Sequence, residues 1–153
     1  MNPDLTPLIA NLLVEEGDKT RGYDDANDNV LTKGYTIVGT PTVGVGHNLE
    51  VPLSQAAIKQ ILLDDLAPAV AEAQSHGWFA SLNAPRQLAV IDMIFNLGEH
   101  TFDEFGTFQH FLATGMYISA GTDLQGTAWY GEVGPRGPRI ASIISTGQWI
   151  VAQ

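Results

Sequence analysis

The chain has 153 residues, 44% hydrophobic and 16% charged, enough to bury a core within one domain and unlike a disordered segment. Its formal net charge of −10 argues against nucleic-acid binding, which neutralises phosphates with Lys and Arg, and against anionic membrane surfaces. There is no cysteine, so disulfides and thiol chemistry are excluded; His47, His76, His100 and His110 lack metal-ligand spacing, so neither metal nor cofactor is expected.

In chain order, Thr6-Pro7 reads as an N-cap and first helical position, followed by Leu8, Ile9, Leu12 and Leu13 on one face and Gly17 as the stop. Asp18 to Gly39 is rich in Gly, Asp, Asn and Thr and predicts loops or short hairpins. Thr42 to His47 reads as a strand with Thr42, Gly44 and Gly46 on one face and Val43, Val45 and His47 packing on the other. Ser54 caps a long helix through Ile58, Ile61, Leu62, Leu66 and Ala69, which Pro68 should bend. Asn83-Ala84-Pro85 opens a helix over Arg86–Leu97, apolar on nearly every side and so central and buried, ended by Gly98. Phe102–Ala113 and Pro138–Ser145 are further helices, and the glycines within Met116–Thr127 predict a short or broken one. The class is α+β, mostly α.

One carboxylate is oddly placed. At 100° per residue Glu16 falls within about 10° of the mean direction of Leu8, Ile9, Leu12 and Leu13, whereas Glu15 lies about 90° away. Burial raises the pKa of such a carboxyl, and a carboxylic acid protonated near neutral pH is what protonates the leaving oxygen in glycoside cleavage. The plainer reading is a helix-end glutamate pointing out of the last turn.

Glu16-Gly17, Tyr23-Asp24-Asp25 and Thr42-Val43-Gly44-Val45-Gly46-His47 together resemble the phage-type lysozymes of glycoside hydrolase family 24, and the Glu16–Asp25 interval matches the T-even enzymes in length. The resemblance extends through Ser81-Leu82 to Phe95-Asn96-Leu97-Gly98-Glu99 and through Trp129-Tyr130, Arg136, Arg139 and Thr146-Gly147-Gln148-Trp149. It implies a lysozyme-like two-lobed fold in one domain: a β-rich lobe over about 15–60, a long connecting helix, and a helical lobe over about 70–153 plus the N-terminal helix. It implies Glu16 as general acid, Asp25 orienting or activating a water, and Thr42 helping to hold it, with Gly44 and Gly46 leaving room for a sugar ring to approach the backbone. Two carboxyls flanking a water are the inverting arrangement, with a separation of roughly 6.5–9.5 Å.

The resemblance also implies a substrate contact at Asn96, which reads equally as a helix C-cap, and an arginine on the cleft rim, here Arg136, which with Arg139 otherwise reads as structural. Trp129 and Tyr130 read as packing aromatics. His47 reads as a core histidine. Asp65 lies within about 40° of the apolar face of its helix, and the family pairs the corresponding residues, so a structural His47–Asp65 ion pair is expected.

The implied activity is that of an endolysin-type muramidase, a monomer acting on the glycan strands of peptidoglycan. The N-terminus makes a poor secretory signal, so synthesis in the host cytoplasm and release to the wall by another factor are expected. A lytic transglycosylase would need neither Asp25 nor Thr42, and a non-catalytic virion or binding module would be expected to have lost one of the three. The departure from the T-even pattern is an Asp25–Thr42 interval longer by about eleven residues, a cleft wall or lid that leaves Asp24 and Asp28 as alternatives to Asp25.

Overall fold

The computed structural model describes residues 19–151, with two compact units that divide in the first turn of a long helix, between Ile58 and Lys59. The helix expected over Thr6–Gly17, and Glu16 with it, lies outside the described residues. The class is α+β and mostly α, as the sequence predicts. No helix of the described residues is long and apolar enough to cross a membrane.

The first unit holds an antiparallel sheet of β1 (Lys19–Asp24), β2 (Pro41–Gly44) and β3 (His47–Asn48) in that order. Tyr23 pairs with Thr42, Asp24 with Pro41, Thr42 with Asn48 and Val43 with His47. The single strand expected over Thr42–His47 is therefore a hairpin. Gly44 and Gly46 have φ of 61° and 78°, a region open to glycine, and they reverse the chain where strict alternation would have continued it. The shared face drawn for Thr42, Gly44 and Gly46 does not form, Val45 sits exposed in the turn, and His47 is exposed, not a core histidine.

α1 runs over Gln55–Ser75. Ser54 caps it as expected, its Oγ accepting from Ala57 N at 3.1 Å. Pro68 lies inside, and the helix continues past it to Ser75. Burial on α1 is confined to Ala69 and Ala73, whereas Ile58, Ile61 and Leu62, expected on the buried face, are exposed.

In the second unit a 3-10 turn (Phe79–Ser81) leads to α2 (Ala84–Leu97). Asn83 caps α2 by accepting from Arg86 N, and Gly98 ends it with φ 79°. Only one side of α2 is buried (Ala89, Val90, Met93, Ile94); Leu88 and Phe95 are exposed, correcting the expectation of burial all round. The helix expected over Phe102–Ala113 is two: α3 (Glu99–Phe102) and α4 (Gly106–Ala113). Phe102 is fully buried, and the turn after it closes with Phe105 N donating to Phe102 O at 3.0 Å.

α5 (Tyr117–Gln125) contains Gly121, which does not break it. A Cβ there would sit 2.6 Å from Ala141 O of α7, so the glycine permits close helix packing. α6 (Ala128–Glu132) begins at Thr127, whose Oγ1 accepts from Tyr130 N. α7 (Arg136–Thr146) ends at Gly147 in the left-handed region. Its last carbonyls are satisfied from α2: Arg86 Nε donates to Ile144 O at 2.7 Å, and Asn83 Nδ2 to Gly147 O at 2.9 Å. Met93, Phe102, Phe108, Leu112, Leu124, Ile140, Ile143 and Ile144 lead the core, each large side chain contributing on the order of 1.5–3 kcal/mol by leaving water.

Candidate active site

The long segment between Asp25 and Thr42 is organised by one side chain. β1 turns back tightly, Asp24 N donating to Asn29 O at 2.9 Å and Leu31 N to Gly22 O at 2.9 Å. The rest of the segment then returns over Asp24. Its carboxylate is fully buried and accepts from Val38 N at 2.7 Å, Gly39 N at 2.8 Å, Tyr35 Oη at 3.0 Å and Ala26 N at 3.1 Å. The Val38 amide foremost, then the Gly39 and Ala26 amides and the Tyr35 hydroxyl, hold Asp24 below the ordinary carboxylate value of 3.8, against a contrary push from burial. Tyr35 Oη also meets Asn27, which donates to it from Nδ2 at 2.9 Å.

The three aspartates thereby separate. Asp24 is engaged by the segment's own donors. Asp28 has φ 62° and is paired with Lys19 Nζ. Asp25 is exposed; its Oδ1 accepts from Thr40 N at 2.5 Å, while its own N–H donates to Thr40 O at 3.1 Å. Thr42 is buried, and its hydroxyl donates to the same Thr40 O at 3.0 Å. Since that hydroxyl's proton is committed to Thr40, the Thr42 oxygen keeps lone pairs to accept a bond from another donor.

Asp25 and Thr42 line one open, polar pocket of about 530 Å³ together with Tyr23, Thr40 and Asn48. Lys19, Asp28 and Gly46 complete it. Lys19 Nζ also lies 3.9 Å from the centre of the Tyr23 ring, a cation–π contact on the pocket lining. Gly44, expected to admit a sugar, adjoins the turn but does not line the pocket. Lys19, Thr40 and Asn48 were not read from the sequence. The β1–β2–β3 pairing that gathers them depends on where the chain reverses, and only Gly44 and Gly46 signalled that.

The remaining expected residues belong to the second unit. Asn96 lies inside α2, whose C-cap is Gly98, so the C-cap reading is wrong. Its Oδ1 accepts from Trp129 Nε1 at 2.8 Å, and Trp129 is buried as expected of a packing aromatic. Arg136 and Arg139 both reach Asp92, through Nε–Oδ1 at 3.4 Å and NH2–Oδ2 at 2.7 Å. Arg136 is the more exposed and retains free guanidinium donors among the described residues. Asp65 is exposed on α1 and lines a mostly apolar pocket of about 320 Å³ with Pro68, Ala69, Ile94, Phe95, Gly98 and His100.

Compared with curated proteins, the chain finds no match. A family model described as phage lysozyme matches residues 15–131, a span that includes Glu16, Asp25, Thr42 and Asn96 and ends short of Arg136. With most of its length matched, the chain belongs to the phage lysozyme family, whose members break down bacterial peptidoglycan.

Proposed function

We propose that the chain is an endolysin-type muramidase that hydrolyses the β-1,4 bond between N-acetylmuramic acid and N-acetylglucosamine, with inversion and without a cofactor. The observation that carries this reading is the placement of Asp25 and Thr42 on one polar pocket of the β unit. Glu16 is the general acid that protonates the leaving oxygen. Asp25 accepts a proton from the attacking water, and the Thr42 oxygen accepts the water's second hydrogen, fixing its lone pair toward the sugar. Asp24 is a poorer base because its oxygens already accept four hydrogen bonds, and Asp28 a poorer one because it faces Lys19. In this reading Asn96 and Arg136 are further contacts to the glycan.

The test is digestion of purified peptidoglycan with mass analysis of the products and NMR of the anomer first released. Wild type should yield reducing muramic acid ends of inverted configuration. Glu16→Gln and Asp25→Asn should each lose on the order of 10²–10⁴-fold in rate, the usual contribution of a general acid or base. Full activity of Glu16→Gln would overturn the mechanism. Products carrying 1,6-anhydro ends would make the enzyme a lytic transglycosylase.

A further inference from the structure

Three side chains of the second unit, unused by the glycan chemistry, converge on one point. Glu72 is in the last turn of α1, His76 follows its end, and Asp103 follows α3; one donor atom from each lies within 4.8 Å of the others. His76 Nε2 is 3.2 Å from Glu72 Oε1, yet the direction is wrong for a hydrogen bond, and this nitrogen is shut off from solvent with no hydrogen-bond partner among the described residues. The imidazole is held in place by aromatic neighbours. It stacks on Trp78 at 5.0 Å and meets the edge of Phe102 at 5.6 Å. A nitrogen closed off from solvent beside a carboxylate, without a hydrogen bond to it, is a costly arrangement that a shared cation would relieve.

We propose that Glu72, His76 and Asp103 bind a divalent cation of the zinc type. Imidazole with carboxylates favours zinc or cobalt over magnesium or calcium, which take oxygen ligands. Two ligands bound to zinc at about 2.0–2.1 Å in a tetrahedron stand about 3.3 Å apart. The Glu72–His76 separation of 3.2 Å fits that edge. Glu72 in the last turn of α1 and His76 just past its end are four residues apart, the spacing that lets a helix end present two ligands to one ion. Asp103 supplies the third from outside the helix and leaves the fourth position to water. The ion ties the end of α1 to the turn after α3, a cross-link in a chain that has no cysteine. No sequence motif marks the trio, because the third ligand is distant in the chain and the first two are not a histidine pair.

The experiment uses the full chain stripped of metal with a chelator, titrated with Zn²⁺ by calorimetry and with Co²⁺ by visible absorption. Saturable binding of one equivalent is expected, with Co²⁺ ligand-field bands of a four- or five-coordinate site and a rise in melting temperature on adding Zn²⁺. His76→Gln and Asp103→Asn should each weaken binding at least about tenfold, while His110→Gln leaves it unchanged. Asp103 is exposed, so Asp103→Asn remains informative if His76→Gln disturbs the aromatic packing. No saturable binding below about 1 mM, a range of weak and unspecific association, would overturn the proposal. So would binding indifferent to Asp103→Asn.

Discussion

Gly39→Ala puts the seating of the long segment and the placement of Asp25 to the same test. Gly39 N is one of the amides held by the Asp24 carboxylate. A Cβ at residue 39 would run into the Asp25 carboxylate oxygen and would lie 2.7 Å from Ala26 Cβ and 2.8 Å from Ala26 N. Ordinary contact begins at 3.4 Å, so residues 25–26 and residue 39 must separate by the missing 0.6–0.7 Å. Two of the obstacles are main chain or attached directly to it, so no rotamer change relieves them. Overpacking of this size costs about 1–3 kcal/mol. The functional cost follows from tolerance: catalytic groups must be held within about 0.5 Å, and a displacement near 1 Å costs on the order of 10²-fold. Gly39→Ala should therefore lose about 10–100-fold in clearing a cell-wall suspension well below its melting temperature. Thermal unfolding by circular dichroism gives the stability loss separately. Gly77→Ala, where a Cβ meets nothing within 4 Å, should change neither quantity. Wild-type activity together with an unchanged melting temperature for Gly39→Ala would refute both the seating and the role of Asp25.

Asp24→Asn should destabilise the chain in a pH-dependent way. The folded carboxylate titrates below its ordinary value of 3.8, so its stabilisation is present above that pH and disappears as pH falls through the lower folded value. The melting-temperature gap between wild type and Asp24→Asn should be widest near neutrality and close in acid; a gap constant with pH would contradict the bonding described. Gly121→Ala, which elsewhere would favour a helix, should cost about 1–3 kcal/mol in denaturant unfolding because the new Cβ meets Ala141 O at 2.6 Å. Arg139→Ala should cost about 1–2 kcal/mol by stripping the 2.7 Å bond from a largely buried Asp92. Arg136→Ala, longer at 3.4 Å and more exposed, should cost less than about 1 kcal/mol. With a net charge of −10 the enzyme is repelled by anionic cell walls, so lysis of whole cells should rise as salt is added from very low ionic strength; monotonic loss would count against this.

The starts of α1 and α2 were the most legible part of the fold because each carries a local signal. Ser54 and Asn83 cap the helices expected of them, and Gly98 and Gly147 end theirs. What failed was any inference that needed a neighbour. α2 is apolar on most sides, yet only the stripe through Ala89, Val90, Met93 and Ile94 meets the core, and hydrophobicity alone cannot say how many of its sides find a partner. The helix over Met116–Thr127 is short, as one of the two expected outcomes had it, but Gly121 does not break it, because contact with α7 overrides a preference worth about 1 kcal/mol. Thr42–His47 failed differently. Its alternating pattern suited a strand, while two glycines supplied the conformations of a turn, and the turn prevailed because positive φ closes a hairpin that pairs Val43 with His47.

The choice among three aspartates shows why the site was only half legible. Asp24 and Asp25 are adjacent at the end of a strand, where successive side chains leave the backbone in opposite directions. Both meet the inserted segment, Asp24 buried under it and Asp25 exposed at its Thr40 end, and nothing in the sequence said which would be covered. The answer lies in donors that come from far along the chain: the amides of Val38 and Gly39 and the hydroxyl of Tyr35 all reach Asp24. A carboxylate saturated with donors at depressed basicity is well suited to fixing a loop and badly suited to taking a proton from water. The insertion that obscured the assignment therefore bears on it directly. By occupying Asp24 it leaves Asp25 as the exposed carboxylate beside Thr42, tied through Thr40 to the strand that carries the threonine. If that tie sets the reactive geometry, Asp24→Asn should lower turnover more than its loss of stability explains, while Asp25→Asn loses on the order of 10²–10⁴-fold in turnover and leaves the melting temperature nearly unchanged. The reverse pattern, with Asp24→Asn folded but inactive and Asp25→Asn active, would move the catalytic role to Asp24.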